Sequence, residues 1–369
     1  MKIVLIQMLK ILLGIIYAPL KLLKTKNQIV YLSRQRNEKG IDISLLEKAI
    51  DEENPNVKQI FRLKMLDDGF KSKIKYALYI IGDMYYLATS KVAILDTYSV
   101  TVSCLKHKKE LKVIQMWHAL GAIKKFGLQA LGTKEGRDES VSRALCMHKN
   151  YDYVLSPSAQ TAKFYMEAFG VDNSKIKICP MPRVDFITDS KPKTTEFYSY
   201  NPGFADKKIV LYLPTFRERE AYIAEMLKAE FSELDGYKLI ISNHPLSKVR
   251  TDENYSQNGS FTSFELMKLA DIIITDYSAC AFEASLLLKP LYFFIPDYNE
   301  YMKERGINVH LKEEMPDACF DKADELVKSI TSDEYDFNSL YSFRNKYIEN
   351  TKGSNSQILA KFVLMQMGK

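Results

Sequence analysis

Residues 271–296, DIIITDYSACAFEASLLLKPLYFFIP, constrain the fold more than any other stretch of the chain. The stretch opens with an apolar, β-branched run, which is typical of a strand buried on both faces. Polar residues 275–278 interrupt the run, and a helical spacing of apolar residues then continues as far as Lys289 and Pro290. A second apolar run at residues 291–295 predicts another buried strand. This order predicts a parallel sheet in which a short helix begins at the carboxyl end of a strand.

The turn at the end of the first strand is a candidate anion site. Unpaired N–H groups and the helix dipole favour a phosphate at such a place. Thr275, Asp276 and Ser278 can all form hydrogen bonds, and Thr275, Ser278 and the backbone N–H groups can receive a diphosphate. Glu283, on the helix, is a candidate acceptor for the two hydroxyls of a ribose. The same residues also fit an ordinary βαβ unit with a capped helix.

The rest of the chain alternates strands and helices in two series. Strands are predicted at residues 28–33, 57–65, 92–96, 113–117, 154–156 and 176–179, and then at residues 208–213, 238–242, 271–275 and 291–295. Helices are predicted at residues 44–51, 71–89, 138–148, 218–230, 263–269 and 278–288. Residues 190–204 have the composition of a linker. The pattern predicts the α/β class, with two doubly wound, Rossmann-like domains that face each other across a cleft.

The first 23 residues are strongly apolar but include three lysines. Their longest charge-free run, residues 11–20, is about half of what a bilayer span requires. No small-residue cleavage site follows the run, so a signal peptide is not predicted. Lys10 and the basic cluster at residues 21–26 predict an amphipathic helix in the membrane interface, held by apolar burial and by attraction to anionic lipid. A helix packed on the protein's own core is the alternative.

The charge balance argues against a nucleic-acid-binding protein. The chain has 52 Lys and Arg against 46 Asp and Glu, a net charge of +6, and no basic run is interleaved with aromatic residues. This mild excess suits anionic lipid or phosphorylated ligands. The five cysteines are scattered without a CxxC pair, which predicts reduced thiols instead of disulfides or a zinc site.

Three further polar clusters follow predicted strands. His118 comes directly after a strand, with Lys124 and Lys125 nearby, so it is placed for acid–base chemistry beside an anion. A histidine hydrogen-bonded into the core is the alternative there. Thr215 can cap a helix and Arg217 is suited to phosphate, although a capped surface helix has the same pattern.

The third cluster is His244 with the proline that follows it. That proline favours an extended loop, which would hold the His244 imidazole at the edge of a cleft. The chain has no GxGxxG, no P-loop and no carboxylate cluster with the spacing of a metal site. Metal independence is therefore expected, and no cofactor is predicted.

The motifs, taken in chain order, resemble the CDP-glycerol glycerophosphotransferases of teichoic acid synthesis. That family has WHG or WHA with a following Lys and Gly, then GxPRxD, PTWR, HP, and TDYSS with an acidic residue in the next helix. This chain has WHALGAIKKFG from residue 117, PRVD with Arg183 and Asp185, PTFR from residue 214, His244 with its proline, and TDYS from residue 275. The resemblance covers residues 110–310, and five motifs in the family's order are hard to obtain by chance.

The resemblance implies a glycosyltransferase-B-like fold and a peripheral enzyme on the cytoplasmic face of the cell membrane. It implies an N-terminal acceptor domain at residues 27–195 behind the helix of residues 1–26, and a CDP-donor domain at residues 196–345. Residues 346–369 would then form a C-terminal helix that packs back on the N-terminal domain. The implied substrates are CDP-glycerol and a lipid-linked disaccharide, and the oligomeric state is left open.

The resemblance also implies roles for single residues. His118 would take the proton of the acceptor hydroxyl as it attacks the β-phosphorus of CDP-glycerol, and CMP would leave. Among the donor-site candidates, His244, Arg217, Thr275 and the helix starting at Ser278 would neutralise the diphosphate. Arg183 and Asp185 would be domain-boundary or cleft residues. Compared with the family, Ala119, Phe216, Ala279, Pro180 and Asn243 replace Gly, Trp, Ser, Gly and Arg. The loss of that Ser and that Arg removes two groups that could bind phosphate, which puts the donor's affinity or identity in doubt.

The short chain favours the transfer of glycerol phosphate in a priming step. Several other functions compete with this interpretation. A CDP-ribitol transferase or a chain-extending polymerase of the same family would share these motifs. A nucleotide-sugar glycosyltransferase would use His118 in a similar way but attack an anomeric carbon. A non-catalytic scaffold at the membrane surface would need no base, so His118 beside intact donor motifs argues against it. The residues alone give no role to His148 or His310.

Overall fold

The computed structural model describes residues 2–65, 70–134, 136–179, 181–217, 219–243, 247, 261–349 and 353–368, with the backbone alone for 70–75. Two residues discussed above, His244 and Pro180, lie outside this described part. By its internal contacts the chain divides into two compact units. Unit 1 comprises Met1–His118, Phe126–Asp185 and Lys352–Lys369, and unit 2 comprises Ala119–Lys125 and Phe186–Thr351.

The helices are numbered along the chain. They are α1 (Lys2–Leu20), α2 (Ile41–Glu53), α3 (Phe70–Thr89), α4 (Val100–Cys104), α5 (Glu139–Ala144), α6 (Ala159–Phe169), α7 (Arg183–Asp189), α8 (Thr194–Tyr200), α9 (Glu220–Ser232), α10 (Ser263–Leu269), α11 (Cys280–Ser285), α12 (Tyr298–Glu304), α13 (Leu311–Glu314), α14 (Ala323–Thr331), α15 (Phe337–Tyr347) and α16 (Asn355–Met367).

The strands form one parallel sheet in each unit. Those of unit 1 are β1 (Gln28–Ser33), β2 (Lys58–Leu63), β3 (Val92–Leu95), β4 (Lys112–Gln115), β5 (Tyr153–Ser156) and β6 (Ile176–Ile178). Those of unit 2 are β7 (Lys208–Leu213), β8 (Tyr237–Ile241), β9 (Ile272–Thr275), β10 (Leu291–Phe294) and β11 (Cys319–Phe320). The residues of β1, β3, β9 and β10 are all buried, because helices cover both faces of a doubly wound sheet.

Both sheets have the same strand order. The order is β2-β1-β3-β4-β5-β6 in unit 1 and, read from the β8 edge, β8-β7-β9-β10-β11 in unit 2. In each sheet the strand order therefore changes direction beside the first strand of the unit. Ligands of such sheets bind at the carboxyl ends of the strands that flank this reversal. The reversal lies between β1 and β3 in unit 1, and between β7 and β9 in unit 2. The predicted α/β class, with two doubly wound parallel sheets, is confirmed.

Two local predictions are wrong. The predicted linker at 190–204 contains helix α8, because Phe197 is buried there against the rings of Phe204 and Phe261. Its polar composition conceals that single buried aromatic side chain. The helix predicted at 278–288 is shorter, since α11 ends at Ser285 and Leu288 has a φ of 53°, in the left-handed region.

Helix α1 lies on the surface of unit 1 and contacts α3 and α5. Two side chains attach it: Lys10 Nζ donates to the Ala144 carbonyl over 3.0 Å, and the Tyr17 hydroxyl is 2.9 Å from His107 Nδ1. Leu13 and Tyr17 are its buried residues. By length and composition α1 could also cross a membrane, with a mean hydropathy of 2.1 over 18 residues.

The start of α7 is fastened inside unit 1 by a buried ion pair. The Arg183 guanidinium contacts the Asp42 carboxylate, with Nε 2.9 Å from Oδ2, and the Arg183 backbone N–H donates to Oδ1 over 2.9 Å. Asp185 accepts hydrogen bonds from the first backbone N–H groups of α16, at Asn355 and Ser356. Helix α16 in turn packs on α2. The PRVD motif therefore joins α2, α7 and α16.

We predict that Asp42→Ala destabilises unit 1 by about 3–5 kcal/mol, because it leaves the Arg183 charge buried without a partner. Trp117 is the only tryptophan of the chain and belongs to unit 1, so its fluorescence during urea unfolding reports this unit. The control is Glu139→Ala, which removes an ion pair whose Arg143 and Glu139 side chains are 77% and 55% exposed. We expect that variant to lose less than about 1 kcal/mol. Equal losses in the two variants would contradict this role of Asp42.

Candidate active site

His118 follows β4 through a turn that the sequence specifies locally. Trp117 has a φ of 63°, a conformation that is costly for a bulky residue. Two features hold it there: the Trp117 backbone N–H donates to Gln115 Oε1 over 2.9 Å, and the indole ring packs on Phe126 with centroids 4.8 Å apart. This turn places the His118 imidazole at the carboxyl end of the unit 1 sheet.

The protonation state of His118 follows from its hydrogen bonds. Its Nδ1 lies 2.9 Å from the Asp96 carbonyl oxygen, which can only accept, so Nδ1 carries the proton. The neutral ring then has its lone pair on Nε2. The Gln35 amide nitrogen lies 3.3 Å from Nε2 and 3.3 Å from Nδ1, so this side chain lies against the imidazole.

The surroundings keep the His118 imidazole neutral. Burial is the largest cause, and it lowers the pKa of His118 from 6.5 to about 4. The hydrogen bond to the Asp96 carbonyl opposes this shift, whereas the positive charges of Arg183 and Arg36 add to it. A neutral imidazole, with its Nε2 lone pair facing the Gln35 amide, is the form that accepts a proton.

Asp96, which supplies that carbonyl, is not among the site residues predicted from the sequence. Its side chain is 7% exposed, and burial raises the pKa of the carboxyl to about 6. The Ser33 hydroxyl donates to Asp96 Oδ2 over 2.8 Å and so joins the loops after β1 and β3. Ser33 belongs to a polar cluster, residues 33–36, that follows the apolar run of β1. The same strand-end pattern that identified His118 could have found this cluster.

In unit 2 the predicted donor residues Thr215, Arg217 and Asp276 meet at the reversal between β7 and β9. Asp276 is 0% exposed, and its carboxylate accepts from the Thr215 backbone N–H over 2.9 Å and from the Thr215 hydroxyl over 2.6 Å. Arg217 Nη2 completes the set at 2.8 Å. The two motifs that contain these residues therefore bind each other.

Arg217 also contacts a second carboxylate, that of Asp297, which is not among the site residues predicted from the sequence. Its Nη1 lies 2.5 Å from Asp297 Oδ2, and the Tyr277 hydroxyl donates to Asp297 Oδ1 over 3.0 Å. Burial alone would lower the pKa of Arg217, but the Asp276 and Asp297 carboxylates raise it above its ordinary value. Both ends of the guanidinium are thus occupied by protein carboxylates. Asp297 follows β10, so it too is a polar residue at a strand end.

The turn after β9 differs from the prediction. The Thr275 hydroxyl is buried and donates to the Leu213 carbonyl over 2.8 Å. Ser278 is not the N-cap of α11: the helix begins at Cys280, and Ala279 is its N-cap. Ser278 Oγ is 3.5 Å from the Cys280 backbone nitrogen. The predicted helix start at Ser278 is wrong by two residues.

The remaining predicted residues of unit 2 lie near α11 or in the segment Ala119–Lys125. Glu283 is on α11 and is 2% exposed. A Cβ on Gly121 would lie 2.4 Å from the Phe282 ring, so only glycine lets this segment approach α11. The backbone N–H of Lys125 donates to the Gly306 carbonyl, and Lys124 forms a bridge with Ile307. The chain thus passes from unit 1 to unit 2 directly after His118.

Two features lie apart from these residues. A cavity of about 360 Å³ in unit 2 is lined by Tyr292, Asp317, Tyr335 and neighbouring side chains, and none of the predicted site residues lines it. In the described part of the chain, no group of three or more His, Cys, Asp or Glu side chains could hold a metal ion. Among the described candidates, Arg183 donates to the His118 carbonyl in unit 1, and Thr215 and Arg217 contact Asp276 in unit 2.

Comparison with known proteins gives the family. The family model described as CDP-glycerol:poly(glycerophosphate) glycerophosphotransferase matches residues 16–365. A teichoic acid ribitol-phosphate primase of Bacillus spizizenii is 30% identical, over 84% of this chain and 84% of its own length. A teichoic acid glycerol-phosphate primase of Bacillus subtilis is 29% identical, over 85% of this chain and 81% of its own length.

The fold agrees with that of a solved structure. The wall teichoic acid polymerase TagF superimposes with a TM-score of 0.73 at 18% identity, covering 100% of this chain and 97% of that chain. This likeness confirms the predicted glycosyltransferase-B-like fold class. The match to the family model extends over nearly the whole chain. The chain therefore belongs to the CDP-glycerol:poly(glycerophosphate) glycerophosphotransferase family and is a transferase of teichoic acid synthesis.

Proposed function

We propose that this enzyme is a priming transferase, which moves glycerol phosphate from CDP-glycerol to a hydroxyl of a polyprenyl-diphosphate-linked acceptor and releases CMP. The observation that carries the proposal is the neutral His118 imidazole, whose Nδ1 is held by the Asp96 carbonyl so that Nε2 is a base. The priming step is favoured because the chain matches the two primases over more than four fifths of their length. One of them is named for ribitol phosphate, so CDP-ribitol is the alternative donor.

In the proposed reaction His118 Nε2 takes the proton of the acceptor hydroxyl. The oxygen forms a bond with the β-phosphorus of CDP-glycerol as the bond from that phosphorus to the bridging oxygen breaks. CMP leaves with the bonding electron pair. Such transfers need positioning and charge stabilisation more than covalent chemistry.

The donor subsite is proposed to lie at the β7–β9 reversal of unit 2. Thr215, Arg217 and Asp276 contribute by fixing the two loops against each other, because their polar atoms bind within the protein. Ser278, the backbone N–H groups of its turn and His244 would bind the diphosphate, with Thr275 holding the strand end. Glu283 would bind the ribose, and Lys124 and Lys125 would line the acceptor path.

We predict that CMP release from CDP-glycerol depends on a lipid-linked disaccharide acceptor and falls by about 10²–10⁴ in His118→Ala, which removes the base. His310→Ala is the matched control, because His310 precedes α13 in unit 2, whereas His118 belongs to unit 1. We expect that variant to keep its activity. CMP release from CDP-ribitol but not from CDP-glycerol would identify CDP-ribitol as the donor. Near-normal turnover in His118→Ala would contradict the assignment of His118 as the base.

We predict that kcat/KM stays high well below the ordinary histidine pKa. Burial and the charges of Arg183 and Arg36 place the pKa of His118 at about 4, so the base loses its lone pair to a proton only as the pH falls towards 4. The Asp96 carboxyl, with a pKa of about 6, adds a second change in activity near pH 6. Asp96→Asn keeps the carbonyl but should lose that second change. An acid limb near pH 6.5 that survives in Asp96→Asn would mean that His118 titrates as an exposed histidine.

We further propose that the enzyme is peripheral on the cytoplasmic face of the membrane and that α1 binds the lipid surface. The exposed side chains of α1 are mostly large and apolar: Val4, Leu5, Met8, Leu9, Ile11, Leu12 and Ile15. Because Lys10 and Tyr17 attach α1 along the side of unit 1, the helix lies flat on its own unit. That geometry favours an interfacial helix over one that spans the bilayer.

We predict that a variant with Leu5, Leu12 and Ile15 each changed to Ser binds vesicles of anionic phospholipid about a hundredfold more weakly, because it loses buried apolar area. Co-sedimentation with the vesicles measures this. The control variant, Ile358→Ser with Met365→Ser, removes exposed apolar side chains from α16 instead. Unchanged sedimentation of the triple variant would show that α1 is not the anchor.

A further inference from the structure

We propose that Cys104 and Cys146 form a redox-active thiol pair, which Lys10 of α1 activates and which a peroxide closes into a disulfide bond. The two cysteines lie far apart along the chain, so only the fold brings them together. Both thiols are free in the structure, which is therefore the reduced form of the pair. The inference is independent of the proposed function, since it concerns neither the donor nor the base.

The two thiols meet beside one backbone carbonyl. Cys104 is the last residue of α4, and its Sγ donates to the Leu145 carbonyl over 3.0 Å. Cys146 comes directly after Leu145, and its side chain is in hydrogen-bond contact with that of Cys104. A disulfide requires two cysteines whose side chains approach each other in this way. Both side chains are half-buried, so a small oxidant can reach them.

The turn that carries Cys146 is fixed by residues other than the two cysteines. Cys146, His148 and Asn150 have φ values of 50°, 62° and 67°, in the left-handed region that residues other than glycine rarely adopt. The Asn150 amide holds the turn against α4, because its nitrogen donates to the Val102 carbonyl over 2.9 Å and to the Leu105 carbonyl over 2.8 Å. The two segments are therefore held together before any bond forms between the sulfur atoms.

Lys10 gives Cys146 the surroundings of a reactive thiol. The Lys10 Nζ donates to Cys146 Sγ over 3.1 Å, and to the Ala144 carbonyl over 3.0 Å. A neighbouring ammonium group favours the thiolate, which is the nucleophilic form of cysteine. Lys10 is half-buried, so salt screens its charge less than that of a fully exposed lysine. Cys146 is thus the sulfur that attacks the oxidant first.

The other four thiols are in surroundings that make them slow to react. They are Cys104, Cys179, Cys280 and Cys319. Burial raises the pKa of each of these thiols to about 12, so they stay protonated at neutral pH. Among them, Cys104 lies next to Cys146, and this proximity compensates for its low reactivity once Cys146 has been oxidised. The oxidation is therefore selective for one pair.

The reaction balances with hydrogen peroxide as the oxidant. The Cys146 sulfur attacks one peroxide oxygen, the O–O bond breaks, and the departing hydroxide takes the thiol proton as water. Cys146 is then a sulfenic acid. The Cys104 sulfur attacks the Cys146 sulfur, the S–O bond breaks, and the Cys104 proton leaves with the hydroxide as a second water. Two thiols lose two electrons in total and one peroxide is reduced, and a thiol reductant reverses the change by exchange.

The experiment treats the full chain with hydrogen peroxide and identifies linked peptides by mass spectrometry after digestion without a reductant. We expect a Cys104–Cys146 peptide pair that lacks two hydrogen atoms, forms about tenfold faster than any oxidation of Cys319, and is lost on addition of dithiothreitol. In Cys104→Ser we expect dimedone to trap the sulfenic acid on Cys146. Cys319→Ser is the matched control, because it removes a thiol of β11 in unit 2 and should leave the pair unchanged. Oxidation of Cys146 that does not link it to Cys104 would overturn the proposal.

Lys10 variants test whether this residue activates the pair. Lys10→Met removes the charge but keeps a long side chain, so we expect the disulfide to form about tenfold more slowly. Lys10→Arg restores a positive charge and should recover most of the rate, which a lysine that only supported the fold would not require. Lys2→Met is the matched control, because Lys2 begins the same helix. Equal rates in the wild type and in a folded Lys10→Met would overturn the activation by Lys10.

Discussion

A buried carboxylate requires partners, and that requirement organises both units. Asp276 is wholly buried at the end of β9, where a charge without partners would cost several kcal/mol. The Thr215 backbone and hydroxyl and the Arg217 guanidinium supply those partners from the loop after β7. Asp42 plays the corresponding part in unit 1, where it holds Arg183 at the start of α7. In each case the ion pair joins segments that are far apart in sequence. The PRVD, PTFR and TDYS motifs therefore form the framework of the candidate site.

The shared strand order explains why these pairs lie where they do. Parallel strands end at the same edge of a sheet, and the reversal of direction beside the first strand leaves two neighbouring loops that diverge. In unit 2 those loops carry Thr215 and Asp276, and in unit 1 they carry Ser33 and Asp96. In both units a hydroxyl donates to a buried carboxylate across the reversal. The loops are thereby fixed before any substrate binds.

The sequence predicts the sheets well because a buried strand has a local signature. The apolar runs at β7, β9 and β10 are continuous, and the structure places strands there. Roles that depend on distant partners are harder to predict. Arg217 has the chemistry of a phosphate ligand, but only the fold shows that Asp276 and Asp297 occupy it. Asp96 is missed for the same reason, since its contribution to His118 is a backbone carbonyl that any residue could offer.

The charges around His118 give the base a property that depends on its substrate. A base with a pKa near 4 is neutral at physiological pH, but it is also weak, since proton transfer follows Brønsted behaviour. Burial is the main cause of that low pKa, and the positive charges of Arg183 and Arg36 add to it. An anionic substrate bound beside the imidazole would oppose those two charges, so the pKa of His118 would rise towards its ordinary value. The base would then be strongest when the substrate is in place.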